Sequence, residues 1–138
     1  MTGATSGLGR AMAEALVGAG ARVTVTSRSR ERAEATARQL GDGAIGFAAD
    51  VRNEQSVVTL VDAVVDHFGG VDLLVNNAGI GMRTVNPRFP AYVQPFWEVD
   101  PAGFRDVFDT KVTGSFLVAR AVVPVMLAAG AGRIVNIS

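Results

Sequence analysis

Apolar positions recur along the chain with two alternating periods. Met12, Leu16 and Ala19 are spaced three and four residues apart, as on one helical face, and Gly20 supplies a stop. Residues 22–26 follow as a short β-branched stretch and read as a strand. After Ser27-Arg28-Ser29 a second helix is expected, with Glu31 in its first turn and Ala33, Ala37 and Leu40 as a narrow apolar stripe that Gly41 ends. Residues 44–49 form the next strand, closing on Asp50-Val51. From Asn53 onward Val57, Val61, Val64 and Phe68 repeat with helical period until Gly69-Gly70, and residues 71–75 then have the apolar character of a buried strand. Helices alternating with strands predict an α/β fold, a doubly wound parallel sheet of Rossmann type with helices on both faces.

The second half has another texture. Pro87, Pro90 and Pro95 fall among Phe89, Tyr92, Phe96 and Trp97, which predicts a loop at the carboxyl end of a strand. Its aromatics either line a substrate mouth or pack the loop onto the body. Asp100-Pro101 reads as an N-cap followed by proline at the first helical position. A long helix, residues 101–129, should carry Phe104, Val107, Phe108, Val112, Phe116, Leu117 and Val122, with a kink expected near Pro124. Residues 133–138 make the last strand. No repeat or linker interrupts residues 1–138, so one domain is expected.

Composition narrows the function. Thirteen basic and thirteen acidic residues cancel and are interspersed, which gives no electrostatic footprint for nucleic acid. Mean hydropathy is +0.28 without an uninterrupted apolar run of membrane-spanning length, so no membrane partner and a cytoplasmic setting are expected. The chain has no cysteine, which excludes disulfides, thiolate catalysis and cysteine-ligated zinc. Its one histidine, His67, falls at the end of a helical pattern, a place for a dipole or solvent contact, and no metal site is expected.

Chemistry concentrates at the start, where Thr2-Gly3-Ala4-Thr5-Ser6-Gly7-Leu8-Gly9 runs into the first helix. Gly3 permits a tight turn, while Gly7 and Gly9 let backbone approach a pyrophosphate and let the helix lie close to a sheet. The unpaired N–H groups of the helix start then face the anion. No Lys-Ser/Thr follows, so this is not the phosphate loop of ATPases.

Four motifs in order resemble those of the short-chain dehydrogenase/reductase family, including its 3-oxoacyl-carrier-protein-reductase-like branch. They are Thr2-Gly3-x-x-x-Gly7-x-Gly9, the strand end Asp50-Val51, Asn76-Asn77-Ala78-Gly79, and the closing run from Gly132 to Ser138. The resemblance implies that Asp50 and Val51 sit beside an adenine ring and that Asn77, Ala78 and Gly79 support the cofactor. It implies hydride transfer between a nicotinamide cofactor and a small carbonyl or secondary-alcohol substrate. The family's catalytic serine falls at the end of this last strand, so Ser138 either is that residue or immediately precedes it.

The sequence departs from the family in three ways. Family members carry a Tyr-x-x-x-Lys pair, but Tyr92 and Lys111, the single tyrosine and lysine here, do not form one. Lys111 stands where the family commonly has a water-holding asparagine, and a protonated lysine cannot accept a hydrogen bond. Family members also have a buried strand directly before Thr-Gly. The chain therefore reads as a fold truncated at both ends, inactive alone, whose neighbouring strands share an unfilled gap. Arg28 replaces the acidic residue that would hold the ribose hydroxyls of NAD, which favours NADP over NAD. A non-catalytic NAD(P)-binding sensor of the same fold is the alternative. The long helix 101–129 is expected at a homo-oligomer interface, as in relatives, or packed on the sheet.

Overall fold

Two pairs of parallel strands, rather than one unbroken sheet, form the frame. The computed structural model describes residues 1–138. Strand β1 (Val23–Ser27) pairs with β2 (Ala44–Ala48), Val25 opposite Gly46, and β3 (Leu73–Asn76) pairs with β4 (Arg133–Asn136), Val75 opposite Val135. Between the pairs lies the segment Met1-Thr2. The Met1 amine donates to the Thr24 carbonyl at 3.0 Å and the Thr2 N–H donates to the Val75 carbonyl at 3.0 Å. Two residues thus link the half-sheets in the order β2, β1, Met1-Thr2, β3, β4. The unfilled gap expected from the sequence lies here.

The helices follow their sequence signals. α1 (Gly7–Gly18) ends before Gly20, whose φ of 85° lies in the region open to glycine. α2 (Arg30–Leu40) is capped by the Ser29 hydroxyl, which accepts from the Arg32 N–H, and α3 (Glu54–Phe68) by the Asn53 side chain, which accepts from the Ser56 N–H. Asp100 caps α4 (Pro101–Phe108) through the Ala102 and Gly103 N–H groups. His67 lies exposed in the last turn of α3, suited to its terminal carbonyls.

The long helix corrects the sequence reading in one respect. Its irregularity is a π-helical turn at Asp109–Thr113 joining α4 to α5 (Gly114–Ala129), and Pro124 lies inside α5. At Gly114 the backbone meets Val51 so closely that a Cβ would come within 2.7 Å of Val51 Cγ2. The widened turn therefore falls where the helix passes over the Asp50-Val51 corner. The 29-residue stretch from Pro101 to Ala129 is long and apolar enough to cross a membrane by length and composition alone. No continuous apolar run announced this, because Lys111 and Arg120 interrupt the sequence.

Packing divides into two clusters. Val51, Val57, Val61, Leu74, Val118, Val122 and Met126 join α3, α5 and β3, while Ala13 of α1 packs with Ala4, Val23 and Val25. β4 is the most open part of the frame, with its four residues all exposed. That strand pairs with β3 along one edge and has no strand on its other side.

Candidate functional site

The cradle is shaped by contacts that only glycine permits. Gly3 has φ 63°, and a Cβ there would come within 2.8 Å of Ala78 Cα. At Gly9 a Cβ would collide with the Gly3 carbonyl oxygen and with Asn77 Nδ2. The loop is therefore pressed against the end of β3, and α1 starts tight against it.

Hydrogen bonds from the end of β3 hold that arrangement. The Thr2 hydroxyl accepts from the Asn77 and Ala78 N–H groups, both at 3.0 Å. Asn77 Nδ2 donates to the Thr2 carbonyl at 3.2 Å and to the Gly3 carbonyl at 2.9 Å. The neighbouring Asn76 Nδ2 donates to Asn136 Oδ1 at 3.0 Å and to the Ser115 carbonyl at 3.3 Å, tying β3 to β4 and α5. Sequence reasoning assigned no such role to Asn76.

A cleft of about 830 Å³ opens above the cradle, at the carboxyl ends of β1 and β3. Gly3, Thr5, Ser6, Leu8 and Gly9 line its middle, Arg28, Asp50 and Val51 one side, and Asn77, Ala78 and Gly79 the other. Eleven of the thirteen residues expected to contact a cofactor therefore meet in one cavity. Ala4 and Gly7 do not line it. Ala4 is fully buried, and Gly7 starts the helix at φ 53° with nothing close to its Cβ position.

The cleft also contains residues that the motifs did not mark. Arg32 lies in the first turn of α2, just past the Ser29 cap, and Arg52 and Thr110 line the cleft with it. Arg52 clamps Asp50, its Nη2 lying 2.8 Å from Oδ2 and its Nε 3.0 Å from Oδ1. That guanidinium holds the Asp50 carboxyl below the usual carboxylate range, and Arg28 adds to the effect. Neither Arg28 nor Arg32 forms an ion pair, so both cations remain free to meet an anion. The available signal for Arg32 was a second guanidinium in the first turn after Arg28 and the Ser29 cap.

The catalytic candidates lie elsewhere. Ser138 is exposed beyond β4 and outside the cleft lining. Tyr92 donates its hydroxyl to Glu98 Oε2 at 3.0 Å, and this bond raises its pKa, opposite to what a proton donor working near neutrality needs. Lys111 lies over Gly79, with Cε 3.1 Å from that residue's Cβ position. The loop aromatics do not line the cleft. Trp97 is 74 % and Phe96 83 % exposed, so they do not pack onto the body either.

The short chain dehydrogenase family profile matches residues 1–138. The chain belongs to that family. It is 37% identical over 137 residues to a 3-oxoacyl-[acyl-carrier-protein] reductase of Vibrio cholerae, covering 99% of this chain and 52% of the relative. It is 40% identical over 141 residues to a D-threitol dehydrogenase of Mycolicibacterium smegmatis, covering 100% and 50%. Among solved structures, a metagenomic short-chain oxidoreductase in complex with NADP superposes with a TM-score of 0.84 at 33% identity, covering 99% of this chain and 59% of the other. A 3-ketoacyl-(acyl-carrier-protein) reductase from Brucella melitensis complexed with NADH gives 0.83 at 36%, covering 94% and 49%. This family member spans about half the length of those two curated relatives.

Proposed function

We propose that this chain is the dinucleotide-holding part of an NADP(H)-dependent oxidoreductase that interconverts a small carbonyl compound and a secondary alcohol in the cytoplasm. The observation that carries this reading is a glycine-shaped cradle joined to a basic end. Gly3 and Gly9 let the loop press against the end of β3 so that the N–H groups at the start of α1 open onto the cleft, and two unpaired guanidiniums line it where an acidic residue would select NAD. The volume of the cleft suits an extended ligand of this size.

The residues present fit the cofactor. The N–H groups at the start of α1 face its pyrophosphate. Arg28 and Arg32 pair with a 2′-phosphate by charge-assisted hydrogen bonds. Asp50 and Val51 wall the adenine, and Asn77, Ala78 and Gly79 support the other side. When bound, NADPH supplies the hydride that reduces the carbonyl carbon. The Ser138 hydroxyl, or that of a residue just after it, is suited to hydrogen-bond the substrate oxygen.

This chain alone is expected to turn over no ketone, since Tyr92 is committed to Glu98 and Lys111 lies apart from it on Gly79. A non-catalytic NADP-binding sensor is the second reading, supported by Lys111 at the position where relatives hold a water. The parent is read as a homo-oligomer through the long helix, whose Phe104, Phe108, Val112 and Phe116 are all more than half exposed at four-residue spacing.

Dissociation constants for NADPH and NADH test the proposal. NADPH should bind at least about tenfold more tightly, a difference of about 1.4 kcal/mol. Arg28→Asp should weaken NADPH by about tenfold or more while changing NADH little, because it adds repulsion to a lost contact. Equal or tighter NADH binding would overturn the preference.

A further inference from the structure

Arg52 differs from the other cations of the cleft in what it holds. Arg28 and Arg32 form no ion pair, whereas Arg52 is committed to the carboxylate of Asp50, and all four residues line the same cavity. The Arg52 backbone N–H and Nε both donate to Asp50 Oδ1 at 3.0 Å. Its Nη2 donates to Oδ2 at 2.8 Å, and Nε is shared with Oδ2 at 3.3 Å. The far side of the guanidinium reaches α4, where Nη1 lies 3.5 Å from Asp106 Oδ1. The Asp50 backbone is fixed as well, since its N–H donates to the Ser56 hydroxyl and its carbonyl accepts from the Asn53 N–H.

Each side chain of the Asp50–Arg52 pair is 33% exposed, and an ion pair so open to water adds little to stability. What the fork supplies is direction. A carboxylate offers about four acceptor positions. Both on Oδ1 are taken and Nη2 takes one on Oδ2, which leaves a single position on an oxygen oriented by a planar, two-point contact. The same contact holds the carboxyl below the usual carboxylate range, so the group stays ionised and accepts without donating.

We propose that Arg52 is a positioning residue that, acting through Asp50, makes the cleft select a purine bearing a 6-amino group over one bearing a 6-oxo group. The inference rests on the reading of the cleft as a dinucleotide site with Asp50 beside the base. The amino group of adenine donates, while the oxygen of hypoxanthine at the same position accepts and meets the fixed lone pair with repulsion. Hypoxanthine also carries a donor next to that oxygen, at N1. A carboxylate free to turn can accept from it, so a mobile Asp50 would tolerate either base. Arg52 removes that freedom. Lysine is no substitute, since its ammonium is a point charge without the fork.

The test is fluorescence titration of the full chain with NADPH, with the reduced hypoxanthine analogue of NADPH, and with NADH. The unaltered chain should bind NADPH at least about tenfold more tightly than the analogue, because a fixed acceptor without its donor disfavours the wrong base. Arg52→Met should bring these two ligands within about threefold of one another. Arg52→Lys should lose the same selectivity while its NADPH-to-NADH ratio stays within about threefold of that of the unaltered chain, because the charge is kept and only the fork is lost. A role in folding alone would weaken all three ligands together and leave both ratios as they were. Equal binding of NADPH and its analogue by the unaltered chain, a preference that survives Arg52→Met, or one fully retained in Arg52→Lys would each overturn the proposal. So would a loss of the NADPH-to-NADH preference in Arg52→Lys, which would make Arg52 a phosphate ligand. If Arg52→Met does not fold, Arg52→Gln is read by the same ratio. Absence of any dinucleotide binding by the unaltered chain would overturn the reading of the cleft and this proposal with it, whereas NADPH bound without preference for the amino group would overturn the role of Arg52 alone.

Discussion

Asn77 holds Gly3 in place: its side-chain amide donates to the Gly3 carbonyl at 2.9 Å and to the Thr2 carbonyl at 3.2 Å. One residue at the end of β3 thereby fixes the first turn of the cradle, which in turn meets α1 at Gly9. Removing the amide in Asn77→Ala leaves two carbonyls without that donor. We expect a stability loss of about 1–3 kcal/mol. NADPH affinity should fall by more than stability alone explains, because the loop loses its set position. Urea denaturation and a fluorescence titration on the same variant check both effects, and an unaltered affinity would show that the loop needs no anchor.

Gly9→Ala tests the close approach itself. The added methyl meets the Gly3 carbonyl and the Asn77 amide, both backed by the buried end of β3, so the helix start must move. Dinucleotide binding should fall by at least about tenfold while circular dichroism retains its helical signal, since a displacement of the cradle breaks several anion contacts together. Gly7→Ala is the comparison. Nothing lies near its Cβ position, and its cost should come from φ 53° alone, about 1–2 kcal/mol in stability.

What the sequence revealed and what it hid have physical reasons. Caps at Ser29, Asn53 and Asp100 and the periodic faces of α1 to α3 are local signals, and each is where its residues place it. The cofactor candidates were legible because backbone approach demands glycine at Gly3 and Gly9. Arg52 was not, because its role depends on Asp50 being two residues away across a turn, a contact no periodicity encodes. The π-helical turn at Asp109–Thr113 was also hidden. It coincides with the passage of Gly114 over Val51, two positions more than sixty residues apart, whereas Pro124 drew attention on local grounds.

The exposed row on the long helix gives a prediction about assembly. Phe104 stacks on Phe108 with ring centroids 5.9 Å apart, and Phe116 is 61 % exposed further along. Phe108→Lys with Phe116→Lys should convert an oligomer to a monomer by light scattering, because two cations cannot be buried unpaired in such an interface. Folding should be little affected, since neither side chain belongs to the core clusters. An unchanged mass would place the interface elsewhere.

When residues 1–138 are made as a polypeptide with a free Met1 amine, stability depends on pH in a defined window. The amine lies between the half-sheets, donating to the Thr24 carbonyl, and burial pushes its pKa from 8.0 down to about 6. A depressed pKa on a base means that the folded state favours the neutral amine. Above pH 8 the amine is neutral in both states and imposes no penalty. As pH falls from 8 to 6, the unfolded chain takes up a proton that the folded chain refuses, so stability falls with pH across that interval. Below about pH 6 both states are charged and this group causes no further change. A two-unit shift corresponds to about 2.7 kcal/mol, an upper figure here because the Met1 residue as a whole is only half-buried. Asp50 acts in a separate window. Its carboxyl pKa is lowered by Arg52, so its contribution is full above the unfolded carboxylate range and is lost only in acid. Urea denaturation at pH 8.5 and pH 5.8 should therefore show a loss of about 2 kcal/mol. A chain acetylated at the Met1 nitrogen should lose this part of the difference, since an amide has no proton to gain. If acetylation leaves the pH dependence unchanged, the amine is not enclosed in the folded state and the loss belongs to other groups.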